Sequence, residues 1–507
     1  MAIACVMTRA SSGVEAPKVI VEVHLSNGLP AFSLVGLPET SVREAKERVR
    51  SALINAGFEF PQKRITVNLA PADLPKQGGR YDLPIAIGIL AASGQIPIQS
   101  INQCEFIGEL ALSGQIRPCS GLLPAIIAVK DDQHTLFIPL ENRHEAELVG
   151  YRDTFFVAHL QNLSAFLQGQ AQLPQLDTTP QWIEPEIDEA TLCLSEVIGQ
   201  YQAKQGLEIA AAGGHNLLFI GPPGTGKSML ANRIMPLLPK LTYEEAIEVA
   251  AIHSVAGMHI KPQHFLERPF RSPHHTCSNI SLIGGGAHPK PGEISLSHRG
   301  VLFLDEVAEF PRKILDCLRE PIESGEIIIS RAAAKLTFQC RFQLIAAMNP
   351  SPCGDADDAR ATPDQILRYL SRLSGPFIDR FDLTIDVPKL PAGALTSTHA
   401  QQPETSFEVA KRVAQARTIQ LQRQGVLNSE LGPKQLEQVS LISMDDLQFL
   451  EQSITALGLS VRSFHRLQRV ARTIADLHGE TKTTKAHLAQ ALGYRAMDKL
   501  LSRLSRH

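Results

Sequence analysis

An α/β fold built round a parallel sheet is predicted for this chain by three observations. An apolar run, Leu217-Leu218-Phe219-Ile220, leads into a glycine-rich turn and then into helix formers, Met229, Leu230 and Ala231. A second run of four apolar residues, Val301–Leu304, ends on two acids. From there to about residue 388 short apolar runs alternate with helical periods, the pattern of buried parallel strands joined by helices. The composition, 44% hydrophobic and 20% charged, suffices to bury real cores. A chain of 507 residues suggests about three domains.

The remaining bulk properties exclude several classes. The formal net charge is −3, so overall charge neither marks a nucleic-acid binder nor excludes one, because local basic stripes do that work. Eight cysteines are scattered without a C-x-x-C pair, which reads as reduced thiols and not as a disulfide framework. The first residues hold no apolar stretch of signal-peptide length, and no later run approaches a membrane span. A cytoplasmic protein without membrane contact is expected.

Taken in order, residues 1–168 alternate β-branched runs with helices. Val19–Leu25, Ile65–Leu69, Phe106–Leu112 and His134–Ile138 read as strands. Val42, Ala45, Val49 and Ala52 recur at three and four, so Ser41–Gly57 reads as an amphipathic helix, and Leu122–Val129 as an apolar one. Proline and polar filler make 169–195 a linker. A helix over Glu196–Gly213 feeds the core, which spans 196–390. A soft stretch, 389–406, precedes a helical end domain over 391–507. Its last part, 461–507, carries ten Lys/Arg against three Asp/Glu.

The chemistry begins at Gly221-Pro222-Pro223-Gly224-Thr225-Gly226-Lys227-Ser228, which fits G-x-x-x-x-G-K-[ST] between a strand and a helix. Glycines let backbone N–H groups wrap a phosphate, Lys227 supplies charge to the β and γ phosphates, and Ser228 ligates Mg²⁺. The chain is therefore expected to bind a nucleoside triphosphate, ATP, with Mg²⁺. Asp305 suits the metal, directly or through water, and Glu306 suits the base that polarises the attacking water. Leu344–Met348 reads as a neighbouring strand whose tip, Asn349, is either an ordinary strand-exit residue before Pro350 or, by its place in the order, a ligand of the γ-phosphate or that water. On charge alone Arg380 and Arg462 read as surface ion pairs. The hairpin pattern of Glu326–Ser330 and Lys335–Phe338, with Arg331 and Lys335 near its tip, reads on its residues as solvated charge. Phe464, Leu467, Ala471 and Ile474 form an apolar helical stripe. The arginines interleaved with it read as solvated or subunit-interface charges.

These elements, in this order, resemble the AAA+ ATPases, and within them the magnesium-chelatase-like clade and its ComM/YifB family. The resemblance runs end to end and rests on Ala211–Ser228, Phe270–Thr276 (FRSPHHT), Gly284–Glu306 and Gly375–Asp382 (GPFIDRFD). It implies an AAA+ P-loop parallel-sheet core and a C-terminal helical lid. It assigns Asn349 as sensor 1, Arg380 as an arginine finger acting on a neighbouring subunit, and Arg462 as sensor 2. It also makes Gly284–Gly286 with Lys290 a helix-2 insert, and the hairpin with Arg331 and Lys335 a pre-sensor-1 insert, both gripping nucleic-acid backbone in a central pore. Residues 1–168 are similar to the α+β Lon-protease catalytic fold. There Arg80 replaces the nucleophilic Ser, and Leu123 and Ala125 occupy the region of the Lys base, so no Ser–Lys dyad forms. Some relatives pair cysteines after sensor 1, and with Cys353 alone in that position no zinc knuckle is supported.

The activity this resemblance implies is that of an ATP-driven homohexameric DNA helicase. It would promote branch migration of incoming single-stranded DNA during natural transformation and homologous recombination. An alternative is a motor that remodels a protein partner, as in magnesium insertion into a tetrapyrrole. The Lon-like front domain argues against that alternative. A Lon-type peptidase is a third option, against which the missing dyad argues.

Overall fold

The computed structural model describes residues 2–36, 39–177, 192–286, 289–331, 334–355, 360–391 and 404–504. Most of the expected linker (178–191) and much of the second soft stretch (392–403) lie outside them.

The N-terminal region is organised on a seven-stranded mixed sheet. Ala2–Arg9 and Lys18–Ser26 pair antiparallel along their whole length. Their inward residues Val6, Val19, Val21 and Val23 are fully buried, as period-two alternation requires of a half-buried strand. Helix Asp82–Ala92 packs on these two strands with all eleven residues buried. In front of it, Arg80 is buried and donates from Nη2 to Ser120 O at 2.8 Å.

The central region is a five-stranded sheet. Its strands are Leu217–Ile220, Phe270–Arg271, Val301–Leu304, Gln343–Met348 and Leu383–Asp386. Every pairing is parallel. Across the sheet they run second, third, fourth, first, fifth. The inner strands are buried on both faces, which explains why they read as unbroken apolar runs. All five end at one edge, where a parallel sheet presents its ligand crevice.

Two inserts decorate this core. Gly284–Gly285 pairs with Lys290–Pro291, and Glu326–Arg331 pairs with Ala334–Gln339 in a hairpin. The inserts lie against each other: a Cβ on Gly284 would come within 2.7 Å of Ile329 Cδ1. The hairpin base also meets the front domain, since Gly13 sits over Phe338 and Val14 joins the same apolar cluster. A further seam forms where helix Tyr243–Ala256 docks on helix Leu123–Asp132, burying Ile126 and Val129 against Ala246, Val249 and Phe265.

Helices Ser406–Gln424, Pro433–Ser440, Met444–Ala456, Val461–Leu477, Lys485–Gly493 and Ala496–Leu504 make up the end region. The stripe Leu467, Ala471 and Ile474 is buried with partly buried Phe464 beside it. The neighbouring arginines correct the sequence reading. Arg472 is fully buried and pairs with Asp476 at 2.8 Å. Arg466 donates to Asp379 and to Phe381 O. They are internal struts, because burying the stripe carries its flanks inside and each guanidinium finds carbonyls and a carboxylate there. Among the described residues no helix is long and apolar enough to cross a membrane. All eight cysteines are free, and Cys353 is exposed.

Candidate nucleotide site

At the edge where the strands end, four loops bring their tips together. Gly221 follows Leu217–Ile220 so tightly that a Cβ there would lie 2.2 Å from Val387 O. Gly224 and Gly226 adopt φ of 76° and 90°, which side chains resist. These two face open space. The loop thus wraps a volume that side chains would fill, and helix Lys227–Asn232 starts beside it.

Lys227 is buried. Its Nζ donates to Gly221 O at 2.7 Å, Pro222 O at 2.8 Å and Asn349 Oδ1 at 3.1 Å. Burial lowers its pKa, opposed by the charges of Asp305 and Glu306. Ser228 Oγ donates to Asp305 Oδ2 at 2.6 Å. A hydroxyl and a carboxylate oxygen side by side at a phosphate loop are the two hard oxygen donors a Mg²⁺–nucleotide uses. The residues present therefore fit ATP and Mg²⁺. Glu306 follows with its amide tied to Asp305 Oδ1 at 2.9 Å and an exposed carboxylate. The structure brings Lys227, Ser228, Asp305, Glu306 and Asn349 to one place.

It does not bring the two arginines there. Asn216 Nδ2 donates to Arg380 O at 2.9 Å, and Asp382 N donates to Asn216 O. Asn216 precedes the phosphate-loop strand, so Arg380 stands where the strands begin. About 13 Å of strand, at about 3.3 Å per residue, separates it from Gly221. Its guanidinium pairs with Glu323, while Nε is buried without a partner. Arg462, exposed near the start of helix Val461–Leu477, lies one turn from Arg466, which grips the residues on either side of Arg380.

Lys335 and Lys290 are exposed on their neighbouring inserts, and Arg331 forms the last pair of the hairpin, opposite Ala334. One site residue was not singled out from sequence. His275, within FRSPHHT, places Nδ1 3.5 Å from Glu306 Oε2, with Phe310 and His274 against its ring. The motif was the signal; its role became visible only when the fold closed it over the acid.

A phosphate loop, an acidic strand and a polar strand tip on a parallel sheet define the class, a P-loop protein of AAA+ type. The profile described as "Magnesium chelatase, subunit ChlI" matches residues 193–395. Profiles for "Subunit ChlI of Mg-chelatase" and for the ChlI C-terminal region match 21–142 and 403–495. The chain is 54% identical over 508 residues to Competence protein ComM of Haemophilus influenzae, covering all of both chains. It is 50% identical over 511 residues to YifB of Escherichia coli, covering 100% of this chain and 99% of that one. A magnesium-chelatase 38 kDa subunit of Cereibacter sphaeroides is 25% identical over 213 residues, 38% of this chain and 58% of its own. The chain belongs to the ComM/YifB family of magnesium-chelatase-like proteins.

Proposed function

We propose that this protein is an ATP-driven DNA motor that works as a homohexamer and promotes branch migration of incoming single-stranded DNA in natural transformation. The carrying observation is the division of its machinery. Lys227, Ser228, Asp305, Glu306 and Asn349 share one sheet edge, while Arg380 and the Arg462 turn stand at the other. A phosphoryl-transfer site needs a guanidinium at its γ-phosphate, and a ring supplies it by setting one subunit's Arg380 edge against the next subunit's phosphate loop. Bound Mg²⁺ neutralises phosphate charge; Lys227 holds the phosphates, Asn349 and Glu306 orient and polarise the water, and Ser228 and Asp305 hold the cation.

Two further points support DNA as the partner. Lys290, Arg331 and Lys335 stand on adjacent inserts, a suitable grip on a phosphate backbone. The relative from Haemophilus influenzae carries a competence name. We assign the front domain a Lon-like fold without peptidase chemistry, because Arg80, which the resemblance sets at the nucleophile position, is a buried guanidinium bonded to Ser120 O.

The test is ATP-dependent branch migration on three-stranded DNA. Wild type should move the branch and Lys227→Ala should not; equal activity in the two refutes the reading. The second reading, remodelling of a protein partner, is favoured by the three ChlI profile matches, one of them in the front domain. ATP hydrolysis stimulated by a protein partner but not by DNA would select it.

A further inference from the structure

Helix Arg143–Val149 of the front domain and the turn after helix Tyr243–Ala256 meet at three side chains that the nucleotide site does not use. Nε2 of His144 faces Nδ1 of His259 at 3.0 Å. The Glu145 carboxylate lies with them, one ligand atom from each residue falling within 4.8 Å of the others. Two ring nitrogens that face each other so closely share either a proton or a cation.

The surroundings suit a cation. His144 Nδ1 sits 3.1 Å from Glu141 O, and only a protonated nitrogen satisfies a carbonyl. Nε2 therefore keeps its lone pair, aimed at His259, as in metal-bound histidines whose other ring N–H donates to a carbonyl. Glu145 is 4% exposed. Its Oε1 accepts from Ser254 Oγ at 2.9 Å, while Oε2 is buried with no hydrogen-bond partner. A buried carboxylate oxygen left bare calls for a partner.

We propose that His144 Nε2, His259 Nδ1 and the Glu145 carboxylate form a binding site for a divalent transition cation of the zinc class, which clips the front domain to the ATPase core. Two imidazoles and one carboxylate select such ions over Mg²⁺ or Ca²⁺, and three protein ligands leave a fourth position to water. The ligands come from both sides of the seam, so binding the ion and docking the domains stabilise each other. A second group, His478, Glu480 and His487, serves as an internal contrast. There the Thr484 amide donates to His487 Nδ1 at 3.1 Å. The proton of the neutral ring is thereby left on Nε2, the nitrogen that faces His478. That nitrogen offers a cation no lone pair.

The experiment uses the full chain, stripped with chelator and held in excess Mg²⁺, titrated with Co²⁺ and then Zn²⁺. One Co²⁺ per chain should bind with the visible absorption of a four-coordinate N/O site, and one equivalent of Zn²⁺ should displace it. His259→Ala, on an exposed turn, and Glu145→Gln should each weaken binding by about 10-fold or more. His487→Ala should leave it unchanged. Zn²⁺ should raise the melting temperature of wild type but not of His259→Ala. Absence of the wild-type absorption, or binding undiminished in both His144→Ala and His259→Ala, overturns the proposal.

Discussion

His275 places Nδ1 against the Glu306 carboxylate, and this contact sets the clearest test at a single residue. Glu306 sits at φ 49°, a left-handed conformation costing a side chain roughly 1–2 kcal/mol. Its amide is tied to Asp305, so the free carboxylate depends on His275 for direction. Glu306→Gln should lower the kcat of ATP hydrolysis by about 10²–10⁴, the usual worth of a general base, with nucleotide binding retained. His275→Ala should lower kcat by a smaller factor, about 10, at unchanged KM; kinetics in both variants check this. His275→Asn, whose amide stands in for Nδ1, should recover most of the loss, which a merely structural role would not do. Sequence singled out Lys227, Asp305 and Glu306, which the fold brings together, because a phosphate loop and an acid-tipped strand are local patterns. It could not show that Arg466 and Arg472 turn inward, because that depends on which carbonyls a distant loop presents.

Among the elements, the hairpin Glu326–Arg331/Ala334–Gln339 projects Lys335 outward while Ile327, Ile329 and Phe338 pack inward. Lys335→Ala should weaken binding to single strands of any sequence alike and reduce the slope of log K against log salt by about 1. Fluorescence titration at several salt concentrations measures both. His298 couples three elements in another way. Its Nδ1 accepts from the Arg341 amide at 3.1 Å, and its Nε2 meets Glu248 at 3.1 Å. Burial, partly offset by Glu248, pushes its pKa down to about 4, whereas an unfolded histidine titrates near 6.5. Below about 6.5 the unfolded chain takes the proton first. The stabilisation is therefore complete above that pH and lost as pH falls toward about 4, by up to about 3 kcal/mol. Urea unfolding at pH 7 and pH 5 should show the loss, and His298→Asn, which keeps an acceptor for Arg341, should flatten it. At this scale sequence predicted the strands Val301–Leu304 and Leu344–Met348 nearly to the residue, since both end in marked polar tips. Helix Asp82–Ala92 escaped it because all its residues are buried, leaving no polar face to mark a helical period. The expected helix from Glu196 instead begins at Tyr201, after a short turn in which Gly199 and Gln200 take positive φ.

On the scale of the whole molecule, the parallel sheet separates the phosphate loop from Arg380, the two halves of the proposed hydrolysis site. The strand ends carry the phosphate loop and its acids, and the strand starts carry Arg380, held by Asn216 and the Arg466 strut. No bending of a four-residue strand joins them in one chain, so the proposed homohexamer requires a head-to-tail contact between copies to complete its site. This makes a prediction that separates a shared site from a self-contained one. Lys227→Ala should abolish hydrolysis by spoiling each chain's own phosphate loop. Arg380→Ala should lower it by about 10³–10⁵ through loss of the guanidinium given to a neighbour. Mixed in equal amounts, the two variants regain a working site wherever an Arg380→Ala chain receives its arginine from a Lys227→Ala chain. For random assembly that is about a quarter of the interfaces of a closed ring. Steady-state ATPase of the mixture, after subunit exchange, should rise well above either variant alone, toward about that fraction of wild type. A mixture that stays at the level of its separate components would show that Arg380 serves its own chain or none.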